Sequence, residues 1–206
     1  MQTVFTYEPN IRELSINKGE IYRYLGYTKL GDTKDEKITS MVDEILENVL
    51  AGSIPKVCYK KFPVSVSNQI DFGFMKVESE ALAYNLKDCF EVVIFAATIG
   101  IYTDRQMHKE SILSPARACI YQAVGATVIE AVCDDFNQFI NEQESLNGNL
   151  LKPRFSPGYG DVSLSVQKDI CKELSCAKYA GITLTDSLLM IPEKSVTAII
   201  GIKKKD

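Results

Sequence analysis

Histidine is almost absent from this chain of 206 residues: His108 is the only one, and it lies in a polar run from Asp104 to Glu110. A metal site built from several histidines is therefore excluded. A Ser-His-Asp triad needs its histidine beside a nucleophile, so hydrolysis by that chemistry is not expected. The polar neighbours instead predict that His108 is a solvent-exposed residue of a helix.

Paired cysteine motifs are also lacking, because none of the six cysteines forms a Cys-x-x-Cys pair. Scattered cysteines in a reducing compartment are usually small buried hydrophobic residues, which is what we expect here. Cys171 and Cys176 are five residues apart, so on one continuous helix they would point to different faces. The six residues are Cys58, Cys89, Cys119, Cys133, Cys171 and Cys176.

Excess positive charge is missing as well: 23 basic against 27 acidic residues give a net charge of −4. A nucleic-acid surface needs clustered lysine and arginine, and the one basic run, Lys203–Lys205, is expected to be a solvated tail. Met1–Asn10 does not resemble a secretory signal, and charge-free stretches such as Val92–Thr103 are too short to span a bilayer. We therefore expect one cytoplasmic domain over residues 1–206, with neither membrane nor nucleic acid as a partner.

Apolar periodicity predicts helices and strands in mixed order. An amphipathic helix is expected over residues 34–51 and a central strand at Val92–Ala97. The longest helix is predicted from Pro115 to Leu146, and it is buried because its first half is apolar on nearly all sides. Leu184–Ile191 and Val196–Lys203 read as a pair of strands. This order, without a regular βαβ alternation, predicts an α+β fold with an antiparallel sheet.

Glu130 is the only charged residue between positions 117 and 134 of that long helix. An ionised carboxylate on an apolar helix face costs several kcal/mol unless it is paired. Glu130 must therefore pair with a cation, become protonated or turn towards solvent. Arg154 is one possible partner, and the ammonium group of a ligand is another. Small neighbours on the helix leave space above the carboxylate; they are Ala123, Ala126 and Cys133.

The segment Arg154–Asp161, which reads RFSPGYGD, predicts a binding turn. Pro157 fixes φ at the second position of a type II turn, and Gly158 takes the positive φ that the third requires. Glycines here are expected to expose backbone amides. The guanidinium of Arg154 suits a carboxylate or phosphate, so the segment fits a small zwitterionic or nucleotide-like ligand. The alternative is a surface turn with a solvated arginine and a packed Tyr159.

Several motifs in the same order resemble the activation domain of cobalamin-dependent methionine synthase, over roughly residues 75–202. Its arginine motif corresponds to Arg154-x-x-x-Gly158-Tyr159, with Ala97–Gly100 and the helix of Glu130 upstream. The downstream matches are Gly181–Ser187, Met190-Ile191-Pro192 and Ser195-Val196-Thr197. The resemblance implies an α+β domain with a bent antiparallel sheet that binds S-adenosylmethionine.

The same resemblance implies a reactivation component with no catalytic side chain of its own. Cobalamin on a partner methionine synthase, or on another corrinoid methyltransferase, would be reduced by flavodoxin or a ferredoxin-like donor and methylated by S-adenosylmethionine. Arg154 would bind the ligand's carboxylate and Glu130 would lie near its amino group. The backbone of Ser156, Pro157, Gly158 and Tyr159 would border the adenosyl group. The chain would position the reactants and act in trans.

Two departures from the family pattern keep other functions open. An acid of the short N-terminal helix corresponds to Gly26, and a second acid, six residues before the arginine, corresponds to Gly148. Their absence favours an alternative, a non-catalytic corrinoid-protein binding or chaperone module that has lost S-adenosylmethionine binding. An ordinary small-molecule methyltransferase is disfavoured, because no glycine-rich loop follows a first parallel strand.

Overall fold

The structure, a computed structural model, describes residues 3–27 and 35–205. Its helices are α1 (Lys18–Tyr24), α2 (Glu36–Gly52), α3 (Glu80–Asn85), α4 (Tyr102–Leu113), α5 (Pro115–Leu146), α6 (Val166–Glu173) and α7 (Cys176–Tyr179). Its strands are β1 (Phe5–Tyr7), β2 (Lys56–Pro63), β3 (Ser65–Val66), β4 (Ile70–Asp71), β5 (Lys76–Val77), β6 (Cys89–Thr98), β7 (Asn149–Leu151), β8 (Thr183–Leu184), β9 (Met190–Ile191) and β10 (Ser195–Lys204). The first residue of the helix predicted over 34–51 lies outside the described residues.

A bent antiparallel sheet of five strands, in the order β1-β2-β6-β10-β7, forms the centre of the fold. Its two longest strands, β6 and β10, pair from Ser195 opposite Thr98 to Ile202 opposite Glu91. Helices pack on both sides of this sheet. The predicted α+β class, with its antiparallel sheet and long buried helix, is confirmed.

Alternate residues of β6 enter two different cores. Val93 and Phe95 pack with apolar side chains of α2 and α5, whereas Val92 and Ile94 pack with those of α3, α6 and α7. A strand normally alternates between buried and solvated side chains, and one that is covered on both faces becomes apolar throughout. This double coverage explains why the sequence predicted Val92–Ala97 as a central strand.

Helix α5 begins at Pro115 and ends at Leu146, as predicted. The missing amide of Pro115 costs nothing in the first turn, and the N-cap residue, Ser114, makes no side-chain hydrogen bond to the helix. By length and composition alone α5 could cross a membrane, contrary to the expectation from charge-free stretches. However, 61% of its most apolar stretch is buried within the fold. The apolar side chains of α5 therefore belong to the protein core.

The predicted pairing of Leu184–Ile191 with Val196–Lys203 is wrong. The chain reverses within the first of these segments, where the amide of Thr185 donates to the carbonyl oxygen of Leu189 and Leu188 has a φ of 67°. Strands β8 and β9 thus pair with each other, and β10 pairs with β6 and β7. A long strand with apolar residues on both faces is more stable inside the main sheet than in an exposed hairpin.

The two cysteines expected on different helix faces are in fact in contact. Ser175 adopts a left-handed conformation with φ of 50°, which ends α6 and starts α7. The side chains of Cys171 and Cys176 meet across this break, and the Sγ of Cys176 lies 3.9 Å from the Sγ of Cys58. The burial prediction holds for Cys58, Cys133 and Cys176, whereas Cys119 is exposed.

Candidate functional site

Arg154 is held in place by the central sheet. The next residue, Phe155, exchanges two backbone hydrogen bonds of 2.9 Å with Ile199 of β10, and its ring packs in the core on the α6 side. Successive side chains of an extended segment point to opposite faces. Arg154 is therefore directed towards α5, on the other side of the sheet.

The guanidinium of Arg154 contacts two carboxylates of α5. Its Nη2 lies 3.0 Å from Oε2 of Glu130 and 3.0 Å from Oδ1 of Asp134. These acids are four residues apart, so they share one face of the helix. Only 22% of the Arg154 side chain is exposed, and its Nη1 is covered and has no hydrogen-bond partner within 3–27 and 35–205. Such an unpaired donor is costly and uncommon in folded proteins.

Glu130 is not buried, contrary to the interpretation of its apolar surroundings. Its side chain is 51% exposed and forms the ion pair with Arg154. Two of the alternatives left open by the sequence therefore hold together: the carboxylate turns towards solvent and also pairs with a cation. The apolar faces of α5 surround the position without covering it.

The predicted turn at Pro157 and Gly158 is confirmed. Gly158 has a φ of 87°, and the amide of Tyr159 donates to the carbonyl oxygen of Ser156 at 3.2 Å. The expectation of a bare amide is wrong at Gly158, because this group donates to the carbonyl oxygen of Val162 at 2.9 Å. Pro157 is buried, whereas Tyr159 is 73% exposed and not packed. The amides of Gly158 and Tyr159 are thus both used within the turn, and the side chain of Tyr159 is the exposed group.

Two cavities adjoin the Arg154 ion pairs, and Glu130 lines both. The first, of about 210 Å³, is lined by Arg154, Ser156 and Tyr159, together with Phe155 and Val196. The second, of about 220 Å³, lies between α1 and α5. Its charged lining residues are Glu20, Glu130 and Asp134. Each cavity is below the roughly 300 Å³ at which small-molecule pockets begin, and the two together exceed it.

Of the six residues predicted for the site, four line the cavity beneath the turn: Glu130, Arg154, Ser156 and Tyr159. Pro157 and Gly158 line neither cavity and instead shape the turn. Sequence reasoning missed Asp134 and Glu20. The spacing of Asp134, four residues after Glu130 on a helix, could have identified it. Glu20 reaches the site only through the packing of α1 on α5, which leaves no local signal.

Gly26 and Gly148, the positions at which the resemblance predicts acids, have backbone conformations that favour glycine. Gly26 has a φ of 90° and Gly148 a φ of 69°, which residues other than glycine rarely adopt. Neither lines the two cavities. The carboxylate that α1 contributes comes from Glu20 instead.

A larger cavity, of about 740 Å³, lies along the hairpin of β8 and β9. A methyl group added to Gly158 would lie 3.1 Å from Leu164, which lines this cavity. Most of the lining is apolar, and its charged residues are the acids Asp104 and Glu193. With no lysine or arginine among its described lining residues, this cavity does not suit the anionic end of a ligand.

In the part of the chain that the structure describes, the side chains that line the cavities beside Arg154 are mostly charged, polar or aromatic, and none is a cysteine or histidine. Cys133 lies between Glu130 and Asp134 in sequence, and burial raises the pKa of its thiol to about 12, so the thiol stays protonated at neutral pH. His108 is exposed on α4, as expected. The arrangement is therefore suited to holding a ligand with separated charges.

The chain is similar to known proteins in its fold and not in its sequence. No family model matches the sequence, and no curated protein matches it. Among solved structures, the chain is similar to one described as the MetH reactivation domain bound to AdoHcy, with a TM-score of 0.72 and 16% sequence identity. The match covers 97% of this chain and 78% of the other. At this identity the likeness establishes the fold: the chain has the fold of a methionine synthase reactivation domain.

Proposed function

We propose that this protein binds S-adenosylmethionine at Arg154 and supports reductive methylation of cobalamin carried by a methionine synthase or another corrinoid methyltransferase. The observation that carries the proposal is the position of Arg154. In a fold similar to that of a domain bound to AdoHcy, one guanidinium is fixed by the central sheet beside a cavity and two carboxylates. The chemistry of these groups matches the amino-acid end of S-adenosylmethionine.

The lining residues fit the parts of this ligand. The ligand's carboxylate would bind the guanidinium of Arg154, the one basic side chain among the described residues that line this cavity. The ammonium would bind Glu130, which is half exposed at the boundary of the two cavities. Ser156 and the ring of Tyr159 would border the adenosyl group, because an exposed aromatic ring can stack on a purine.

The contribution of this chain to the reaction is positional. When bound, S-adenosylmethionine supplies an electrophilic methyl group to cobalt that an electron donor such as flavodoxin or a ferredoxin-like protein has reduced. Arg154 and Glu130 would fix the ligand by its two charged groups, which leaves the sulfonium to be presented near Tyr159. Holding the reactants in one orientation lowers the barrier without a catalytic side chain.

The chain functions as one unit over residues 1–206 in the cytoplasm, where flavodoxin-type donors and corrinoid methyltransferases meet. Its net charge of −4 disfavours nucleic acid as a partner. The corrinoid-carrying protein approaches at the exposed Tyr159, on the side where the Arg154 cavity opens.

The assay is the visible spectrum of cob(II)alamin bound to a corrinoid methyltransferase. We expect conversion to methylcobalamin only when this protein, S-adenosylmethionine and a low-potential reductant are all present. Arg154→Ala should slow the conversion at limiting S-adenosylmethionine, while Arg105→Ala, a matched change of an exposed arginine on α4, should not. Methylation of a small thiol or amine without any corrinoid would contradict the proposal.

A second candidate is a binding or chaperone module for corrinoid proteins that does not use S-adenosylmethionine. The observation that favours it is that Arg154 already has two carboxylate partners, which would compete with a ligand. Glycine at positions 26 and 148, where the resemblance implies acids, also favours this second candidate. This candidate predicts a stable complex with the corrinoid protein and no methylation in the spectral assay.

A further inference from the structure

We infer that Asp134 exchanges partners when the ligand binds: it pairs with Arg154 in the free protein and with the ligand's ammonium group in the complex. This inference rests on the proposed function. It assigns to Asp134 two opposing effects, since it competes with one end of the ligand and binds the other. Asp134 would thereby decide which ligands the site accepts.

The position of Asp134 allows both contacts. Its Oδ1 lies 3.0 Å from Nη2 of Arg154, and its side chain lines the cavity between α1 and α5. The side chain is 75% exposed, against 51% for Glu130 one turn earlier. Asp134 is therefore the less constrained of the two carboxylates on Arg154. It can turn into the α1 cavity without breaking any other hydrogen bond or ion pair seen for it in the described residues.

Charge balance shows why the exchange is favourable. Glu20, the third acid of this cavity, is already paired with Arg23 through a contact of 2.6 Å, so it has a cation of its own. Glu130 and Asp134 share the single positive charge of Arg154. A ligand carboxylate that binds Arg154 would leave both acids without a cation. An ammonium group on the same ligand gives the two acids a cation again, so a zwitterion leaves the net charge of the site unchanged, whereas an anion makes it more negative.

Substituting Asp134 should therefore affect the two ends of the ligand in opposite directions. Asp134→Asn removes a competitor for Arg154, which should strengthen binding of a ligand that carries only the carboxylate. The same change removes a partner for the ammonium, which should weaken binding of a ligand that carries only the amine. A purely structural effect on the cavity would change both affinities in the same direction.

The experiment is calorimetric titration of the native protein and of Asp134→Asn with four adenosine thioethers. These are S-adenosylhomocysteine, its analogue without the amino group, its analogue without the carboxylate, and 5′-methylthioadenosine, which lacks both. We expect Asp134→Asn to bind the amine-only analogue about three- to tenfold more weakly and the carboxylate-only analogue about three- to fivefold more tightly. Binding of 5′-methylthioadenosine should not change. Glu142→Gln, an exposed acid of α5 outside both cavities, is the matched control.

The outcomes separate this inference from the proposed function. Suppose that the native protein binds the thioethers and that Asp134→Asn changes the affinities for the amine-only and carboxylate-only analogues in the same direction, or changes neither. The exchange of partners is then refuted, and the ligand site at Arg154 is retained. If the native protein binds none of the four compounds and no S-adenosylmethionine, the proposed function fails and the exchange fails with it.

Discussion

The carboxylate of Asp161 caps helix α3 from the other end of the binding turn: its Oδ2 accepts a hydrogen bond of 2.7 Å from the backbone amide of Glu80. The same carboxylate accepts a hydrogen bond from the hydroxyl of Ser79, the N-cap residue of this helix. A negative charge is favourable at a helix N-terminus, where the first amides have no partner within the helix. Asp161 thereby ties the turn that carries Tyr159 to a fixed element of the fold.

This contact predicts a stability that depends on pH. The hydroxyl of Ser79, and after it the amide of Glu80, lower the pKa of Asp161 below its ordinary value. A carboxylate with a lowered pKa stabilises the fold above its unfolded pKa of about 3.9, and this contribution disappears as the pH falls through the folded value. We therefore expect Asp161→Ala to lower the melting temperature at pH 7 and to have less effect below pH 4.

Thermal melts from pH 7 down to pH 3 measure this difference. Asp186→Ala, which removes an exposed carboxylate of the hairpin between β8 and β9, serves as the control and should change little at any pH. A difference between native protein and Asp161→Ala that stayed constant down to pH 3 would show that the carboxylate charge is not what holds the turn.

Glu130→Gln should leave the free protein nearly as stable as the native one. Glu130 is half exposed, and Arg154 keeps its contact with Asp134, so the loss is that of a surface ion pair, less than about 1 kcal/mol. The rise in melting temperature on adding S-adenosylmethionine should become smaller, because the ammonium loses a partner. Urea unfolding without ligand and thermal melts with ligand measure the two effects.

The matched control for this prediction is Glu44→Gln. Glu44 is an exposed acid of α2 that receives two hydrogen bonds from Arg117, so its substitution removes a comparable ion pair away from the site. Glu44→Gln should lower the free energy of unfolding by a similar small amount and leave the ligand-induced rise in melting temperature unchanged. A loss of several kcal/mol in ligand-free Glu130→Gln would instead mark Glu130 as a structural residue.

Gly52→Ala should destabilise the fold where α2 meets α4. A methyl group at this position would lie 2.5 Å from the ring of Tyr102, which is too close for any non-bonded contact. Overpacking of this kind costs about 1–3 kcal/mol. Urea unfolding of Gly52→Ala, Tyr102→Ala and the double variant measures the coupling. The cost of the added methyl group should largely vanish once the ring is removed, and an equal cost in both backgrounds would contradict the contact.

Local sequence signals were sufficient to predict those helices and strands that one continuous pattern of residues describes from end to end. The bounds of α5 were predictable because Pro115 suits the first turn of a helix and the helical pattern then continues for 32 residues. The central strand β6 was predictable because both of its faces are buried. The partner of β10 was not predictable, since the pattern shows that a strand is buried and not which strand lies beside it. The reversal at Leu188 within a predicted strand depends on a single positive φ.

The site was only partly predictable for a related reason. The turn and Arg154 belong to one short segment, whose residues determine its conformation. Glu130 was singled out from the sequence, but its exposure depends on how α1 packs against α5, which no local pattern encodes. The same packing brings in Glu20, which lies more than a hundred residues away in the chain.

Calorimetric titration of the native protein and of Arg154→Ala with S-adenosylmethionine tests the central claim most directly. Arg154→Lys and Arg105→Ala are the two controls: lysine keeps the charge without the paired donors, and Arg105 is an exposed arginine of α4. We expect the native protein and Arg105→Ala to bind one equivalent. Arg154→Ala should bind about ten- to a hundredfold more weakly, because a charge-assisted hydrogen bond contributes about 1.5–3 kcal/mol. Arg154→Lys should recover part of this loss. Equal affinity in the native protein and Arg154→Ala, or no binding by the native protein, would contradict the claim.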